Sequence, residues 1–289
     1  MTITRRQALA GLTLGTAASA APQTLLAQAA PAARNPALLN ASMCVLTPQA
    51  VEGPFYFDPK LKREDITEGK PGVPLKVLLQ VVNAASCAPI PDARVDIWHS
   101  DASGEYSGYK EQPGGAGSTE GKTFMRGTQL ADLTGLVRFT TIYPGWYQGR
   151  TPHIHFKVFL SEKMALTGQL YFPDALSEFI YKNAAPYNTR KRERDTVNGN
   201  DGVLRMSGGG HETFCSIKEE ADHYLASLVI GVKDDGTEAV PLEMGPPPGG
   251  PPPGGPGGPG GRLPPPGPRE GPPPQQQRPR GGLIPGVKS

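Results

Sequence analysis

The sequence predicts a mainly β fold: an antiparallel β-sandwich core with long functional loops and few short helices. Short runs rich in Val, Ile, Leu, Phe and Thr recur along the middle of the chain, several alternating apolar with polar residues at the period of a strand. Clusters of Gly, Pro, Asp and Ser separate these runs. Helical or ambiguous pattern is confined to about 175–194 and 217–230, and no internal repeat is visible. Short strands punctuated by frequent turn signals are the pattern of a sandwich.

The elements follow in order. Residues 1–29, MTITRRQALAGLTLGTAASAAPQTLLAQA, combine an arginine pair, a modest apolar run and the small residues Ala27 and Ala29, the layout of an export signal. Arg5 and Arg6 after Thr4, with Leu9 following, fit the twin-arginine type, which carries folded proteins outward; an ordinary secretory signal is the alternative. Residues 30–41 read as a linker and 42–244 as the folded domain. Within it, 47–74 is turn-rich, LKVLLQVVNA (75–84) and ARVDIWHS (93–100) are strands, and 101–122 is a Gly- and Ser-rich loop. The segment 124–142 reads as a hairpin turning at 132–135, and HIHFKVFL (153–160) and QLYFP (169–173) are two further strands. Residues 245–289 are nearly all Pro, Gly, Gln and Arg and lack the apolar side chains that ordering requires, so they read as a disordered tail.

Bulk properties narrow the function. Lys and Arg number 29 against 27 Asp and Glu, and a net charge of +2 is too small to indicate nucleic acid. Beyond the signal no apolar run approaches the ~20 residues that span a bilayer. The 3 cysteines suit one disulfide plus one thiol in an oxidising compartment. Cys44 with Cys87 is the expected pair, since both flank predicted strands near the domain's start; three free buried thiols are the alternative.

The chemistry concentrates in GRTPHIHFKVF. Alternation places His153, His155 and Lys157 on one face of a strand and Ile154, Phe156, Val158 and Leu160 on the other. The two imidazoles stand about 7 Å apart at Cα, close enough to converge on one metal. Zinc hydrolases and cupins also use such a pair, and a plain polar strand face accounts for it equally well. Tyr147, in the bent loop YPGWY, and Tyr106, in the glycine-flanked GEYSGY, add phenolic oxygens, hard donors suited to ferric iron. Taken singly, each tyrosine is explained by packing or exposure.

Together, TPQAVEGPFYF, VDIWHSDASGEYSGY and TTIYPGWYQGRTPHIHF resemble, in this order, the intradiol ring-cleavage dioxygenases, the group of catechol 1,2-dioxygenase and protocatechuate 3,4-dioxygenase, and most closely an exported branch of it. The similarity covers roughly 44–232. It implies one non-haem Fe(III) per chain on a β-sandwich, a catechol and O2 as substrates, ring opening between the two hydroxylated carbons, and a cis,cis-muconate-type product. By this resemblance Tyr106, Tyr147, His153 and His155 are the metal ligands, Tyr147 being the one that leaves when substrate binds. Arg150 corresponds to the arginine over the bound ring, Gln169 to the glutamine beside it, and Gly53 and Pro54 to a segment lining the substrate pocket. The family's helical N-terminal dimerisation region has no counterpart here and the Pro/Gly tail is an addition, which leaves the oligomeric state open. An exported binding module for aromatic or carbohydrate ligands, and a relative that has lost turnover, are the competing readings.

Other residues have blander explanations. His99 is expected to pack, His211 and His223 to be solvent-exposed without partners, and RKRER (190–194) to be a solvated surface. Tyr143 competes with Tyr147 for the ligand role, and Trp98 and Trp146 are either pocket walls or aromatic core. Pocket size is expected to depend on the loops 51–66 and 108–122.

Overall fold

A computed structural model of the chain describes residues 44–58, 60–112 and 117–242. The export signal with Arg5 and Arg6, the linker and the 245–289 tail lie outside the described residues. Among the described residues eight strands form two sheets: β1 (Pro74–Asn83), β2 (Arg94–Trp98), β3 (Arg126–Leu130), β4 (Leu136–Ile142), β5 (His153–Leu160), β6 (Lys163–Tyr171), β7 (Ser216–Glu219) and β8 (Tyr224–Val232). The first sheet runs β4-β1-β8-β7 and the second β3-β2-β5-β6. Every pairing between these eight strands is antiparallel except β1 with β8, which is parallel.

The period-two pattern explains the core. Leu75, Val77, Leu79 and Val81 of β1 are at most 1% exposed and share one apolar cluster with Val95 and Ile97 of β2, Ile154, Phe156 and Val158 of β5, and Ala226, Leu228 and Ile230 of β8. Burying each large side chain of this kind stabilises the fold by about 1.5–3 kcal/mol. Gly168, opposite Phe156 across the β5/β6 pair, leaves room for that ring; a Cβ there would run into it.

The expected hairpin over 124–142 is not formed. Its turn exists: Asp132 Oδ1 accepts from the backbone N–H of Thr134 and Leu136 at 2.9 and 3.1 Å, and Gly135 takes a φ of 75°. The strands on either side part, however, β3 pairing with β2 and β4 with β1. Turn residues dictate a local reversal, whereas the partner is chosen by where an apolar face is buried. Here the reversal carries the chain from one sheet to the other.

The ambiguous stretch 217–230 resolves as the antiparallel pair of β7 and β8. The other yields α1 (Asp174–Asn183), which buries Ser177, Ile180 and Tyr181 at helical spacing, followed by a 3-10 turn at Tyr187–Thr189. A short α2 (Gly202–Met206) follows, capped by the Asp201 side chain. No described helix is long and apolar enough to cross a membrane. Cys44 and Cys87 form a disulfide, Cα to Cα 5.3 Å, and Cys215 is a buried thiol.

Candidate metal centre

β5 is buried on both faces. Its inner side chains enter the core, and its outer ones lie under a roof of loops. Register builds the outer face in rows: Trp98, His155 and Gln169 are cross-strand neighbours on β2, β5 and β6, and His153 faces Tyr171 in the next row. The Trp98 ring stacks on His155 at 4.7 Å between centroids and fixes the imidazole plane.

Two loops bring in the phenols. Tyr106 is held by its own backbone: its N–H donates to Gln112 Oε1 at 2.7 Å, and its carbonyl accepts from Gln112 Nε2 at 2.9 Å and Thr119 Oγ1 at 2.7 Å. Phe55 stacks on its ring at 4.4 Å. Tyr147 begins a tight turn in which the Arg150 N–H donates to the Tyr147 carbonyl at 3.2 Å and Gly149 takes a φ of 80°. His153 Nε2 then lies 3.0 Å from His155 Nε2, 3.2 Å from the Tyr147 hydroxyl and 3.4 Å from that of Tyr106.

The proton inventory of this cluster fits a cation. The Thr151 carbonyl, 2.7 Å from His153 Nδ1, can only accept, so Nδ1 carries the hydrogen and Nε2 presents a bare lone pair. His155 Nδ1 is buried with no partner among the described residues. Burial, reinforced by the Arg150 charge, drops His153 to about 3; burial likewise holds His155 well below the usual imidazole range, so both rings are neutral and able to ligate. Burial raises both phenols. Two imidazole nitrogens and two phenolic oxygens at one point form a donor set suited to trivalent iron. The third histidine or carboxylate that a zinc site on this strand would want is missing: the described residues contain no group of three or more His, Cys, Asp or Glu able to hold a metal.

Arg150 and Gln169 flank the cluster. Arg150 Nη2 donates to Gln169 Oε1 at 2.5 Å, its Nη1 reaches the Tyr147 hydroxyl at 3.5 Å, and Gln169 Nε2 is tied to the Val51 carbonyl at 2.9 Å. The residue that organises this corner, Asp201, was not legible in the sequence. Its fully buried carboxylate accepts from Arg150 Nε at 2.9 Å, from Thr151 N at 2.8 Å and from Leu204 N at 2.9 Å. Burial pushes this carboxyl up, but the Arg150 guanidinium and the two backbone donors outweigh it and leave it below the usual range. An aspartate capping a short helix is a local signal; its pairing with an arginine 51 positions earlier is not.

A cavity of about 450 Å³ opens onto Tyr147, His155 and Arg150, with Gly53, Pro54 and Phe55 along one wall. Gly53 takes a φ of 73°, and a Cβ there would sit 3.6 Å from the His155 ring, so the chain passes close to the imidazole. Tyr143 lies apart, fully buried with its hydroxyl on Ser177 Oγ at 2.7 Å. His99 is packed, bonded to the Ser100 carbonyl and Thr141 Oγ1 at 2.8 Å each. Trp146 lies under the Arg190 guanidinium at 4.0 Å. Two expectations fail: His223 is only partly exposed and pairs with Asp222 at 2.6 Å, and RKRER is not simply solvated, since Arg194 is 7% exposed and bonded to Asp174. In both cases the partner is recruited by the fold or by an immediate neighbour, which charge patterning alone does not reveal.

Comparison with known proteins agrees with this geometry. Residues 48–186 match the family model described as Dioxygenase. Chlorocatechol 1,2-dioxygenases of Cupriavidus pinatubonensis and Burkholderia cepacia are 33% identical over 148 residues, 43% of this chain; the match spans 53% of those curated relatives, about half their length. An intradiol ring-cleavage dioxygenase structure from Tetranychus urticae is 32% identical with a TM-score of 0.63, the alignment covering 68% of this chain and 98% of that one. A second solved dioxygenase gives 31% identity, the same TM-score of 0.63, and coverage of 68% and 97%. With nearly the whole of a solved relative matched at this identity, the chain belongs to the intradiol ring-cleavage dioxygenase family.

Proposed function

We propose that this protein is an Fe(III)-dependent dioxygenase that opens a catechol between its two hydroxylated carbons, both atoms of O2 entering a cis,cis-muconate-type dicarboxylic acid. The observation that carries the reading is the meeting of the Tyr106 and Tyr147 hydroxyls with His153 Nε2 and His155 Nε2 at the edge of an apolar cavity. Those four side chains would hold the ion, which when bound supplies a Lewis-acidic, redox-active centre for the catecholate. Tyr147 is half-buried and lines the cavity, whereas Tyr106 is 1% exposed, so Tyr147 is the phenol placed to move. Ionised as a ligand to the ion, its oxygen would take one of the two catechol protons as it moves away, the other passing to solvent-derived hydroxide. Arg150, steadied by Asp201 and Gln169, presents a fixed guanidinium beside that oxygen and stabilises negative charge developing on the ring. Arg150→Lys removes the planar fork and is expected to lose turnover while keeping metal.

Oxygen uptake on a panel of catechols, with product absorbance followed, tests the reading. Iron-loaded protein is expected to be burgundy from phenolate-to-iron charge transfer, and Tyr147→Phe to alter that colour and slow substrate deprotonation. Colourless iron-loaded protein, or ring opening outside the diol, overturns it. Export is part of the proposal: folding and metal loading before passage by the twin-arginine route, which replacement of Arg5 and Arg6 by lysine should block.

A further inference from the structure

The electrostatics of the cavity define which catechols fit. Its volume of about 450 Å³ is in the range of sites that enclose drug-sized ligands, ~300–1,000 Å³, and leaves space around a bare catechol ring. Val51, Pro54, Phe55 and Val203 make much of the lining apolar, so the extra space suits a ring substituent. Among the described residues the lining carries two charged side chains, Arg150 and Glu111. Arg150 is already committed: Asp201 takes Nε at 2.9 Å, Gln169 takes Nη2 at 2.5 Å, and Nη1 faces the Tyr147 hydroxyl at 3.5 Å, which leaves no side of the fork for a ring carboxylate. Glu111 is exposed and has no ion pair or hydrogen bond to any other described residue. Cations just outside the lining are engaged elsewhere: Arg190 donates to the Trp146 carbonyl at 2.6 Å, Arg126 Nε to Ser107 Oγ at 2.8 Å, and Arg192 reaches the Gln148 amide oxygen at 3.4 Å. Within the lining, a carboxylate on the ring would therefore meet an unpaired negative charge and no uncommitted cation, whereas an uncharged or cationic group would meet apolar surface and a carboxylate.

We propose that the substrate is a catechol bearing an uncharged or cationic ring substituent, and that Glu111 is the residue that discriminates against carboxylated catechols. This rests on the ring-cleavage reading above. The test compares 4-methylcatechol, 4-(2-aminoethyl)catechol and 3,4-dihydroxybenzoate on the full, iron-loaded chain, by kcat/KM and, independently of turnover, by anaerobic calorimetric binding. The carboxylated compound is expected to fall about tenfold or more below the methyl compound, with the aminoethyl compound equal or better. Glu111→Lys should raise the carboxylate-to-methyl ratio at least about fivefold, and added salt should shrink the wild-type difference. Equal use and equal binding of the carboxylated and methyl compounds, or a ratio that Glu111→Lys leaves unmoved, overturns the proposal. Consumption of none of the three overturns the ring-cleavage reading instead, and the binding order then still decides the role of Glu111.

Discussion

The two sheets share one core but treat their outer faces differently. In the first sheet Lys76 of β1, Arg138 of β4 and Ser216, Lys218 and Glu219 of β7 reach solvent, and the period-two pattern ends in water. In the second sheet the outer face is roofed: Asp96, Trp98, His153, His155, Lys157 and Gln169 are all at most 8% exposed. The described buried side-chain atoms without a hydrogen-bond partner, Arg94 Nε, Trp98 Nε1, Arg126 Nη1 and His155 Nδ1, all belong to β2, β3 and β5 of that sheet. Each such atom costs about 1–3 kcal/mol relative to a satisfied one. Polar groups buried at that expense along one sheet and spared along the other mark the face that is organised for chemistry.

Adjacent residues on β5 separate the two roles most sharply. Phe156→Ala, on the inner face, empties the core beneath Gly168 and is expected to cost about 3–5 kcal/mol in urea denaturation. His155→Ala, one residue away on the outer face, removes an orphaned polar atom and should cost far less stability, while abolishing iron retention and its visible absorbance. If the histidine variant unfolds as readily as the phenylalanine variant, the outer face is part of the structural core and the contrast between the sheets collapses.

Asp201 sharpens the same contrast from outside the sheet. Asp201→Asn keeps an oxygen for the Leu204 N–H but leaves the Arg150 guanidinium without a counter-charge, and is expected to lower stability by roughly 3 kcal/mol, the lower end of breaking a buried pair because Arg150 borders the cavity. A residue that merely caps α2 would leave the kinetic parameters alone. One that aims Arg150 should lower kcat more than it raises KM, and Asp201→Glu should recover part of the loss. A fall in stability with unchanged kinetics would confine Asp201 to the fold.

What was legible in the sequence was whatever a short stretch could specify. Alternation within 153–160 gave both the inward apolar set and the outward imidazoles, because side-chain direction along a strand is fixed by covalent geometry. Glycine-flanked loops gave Tyr106 and Tyr147; Tyr143 competed with Tyr147 on local context, the family spacing from Pro144 favoured Tyr147, and the fold sends Tyr143 to Ser177. Apart from His223, which pairs with its neighbour Asp222, what escaped the sequence involves choices made at a distance. The β3–β4 segment has a sound turn but strands that belong to different sheets, and the Asp201–Arg150 pair joins a helix cap to a loop through contacts that no local pattern encodes. Long-range pairing is decided by burial summed over the whole domain, which a window of ten residues does not contain.

The smallest expected effect lies at the crossing between the sheets. Burial raises the Asp132 carboxyl, but the Thr134 hydroxyl, the N–H groups of Leu136 and Thr134 and the Arg138 guanidinium together outweigh it and hold it at about 2. An unfolded aspartate titrates near ~3.9, so the folded group is the stronger acid. Its contribution is fully present above about pH 4 and is lost as the pH falls through about 2. With 42% of the side chain exposed, solvent screening reduces this contribution to under about 1 kcal/mol. Urea midpoints measured from neutral pH downward should therefore decline less steeply for Asp132→Asn than for the wild type through that window. Parallel curves would mean that the chain crosses between the sheets without help from this carboxylate, and that the destinations of β3 and β4 alone hold the turn in place.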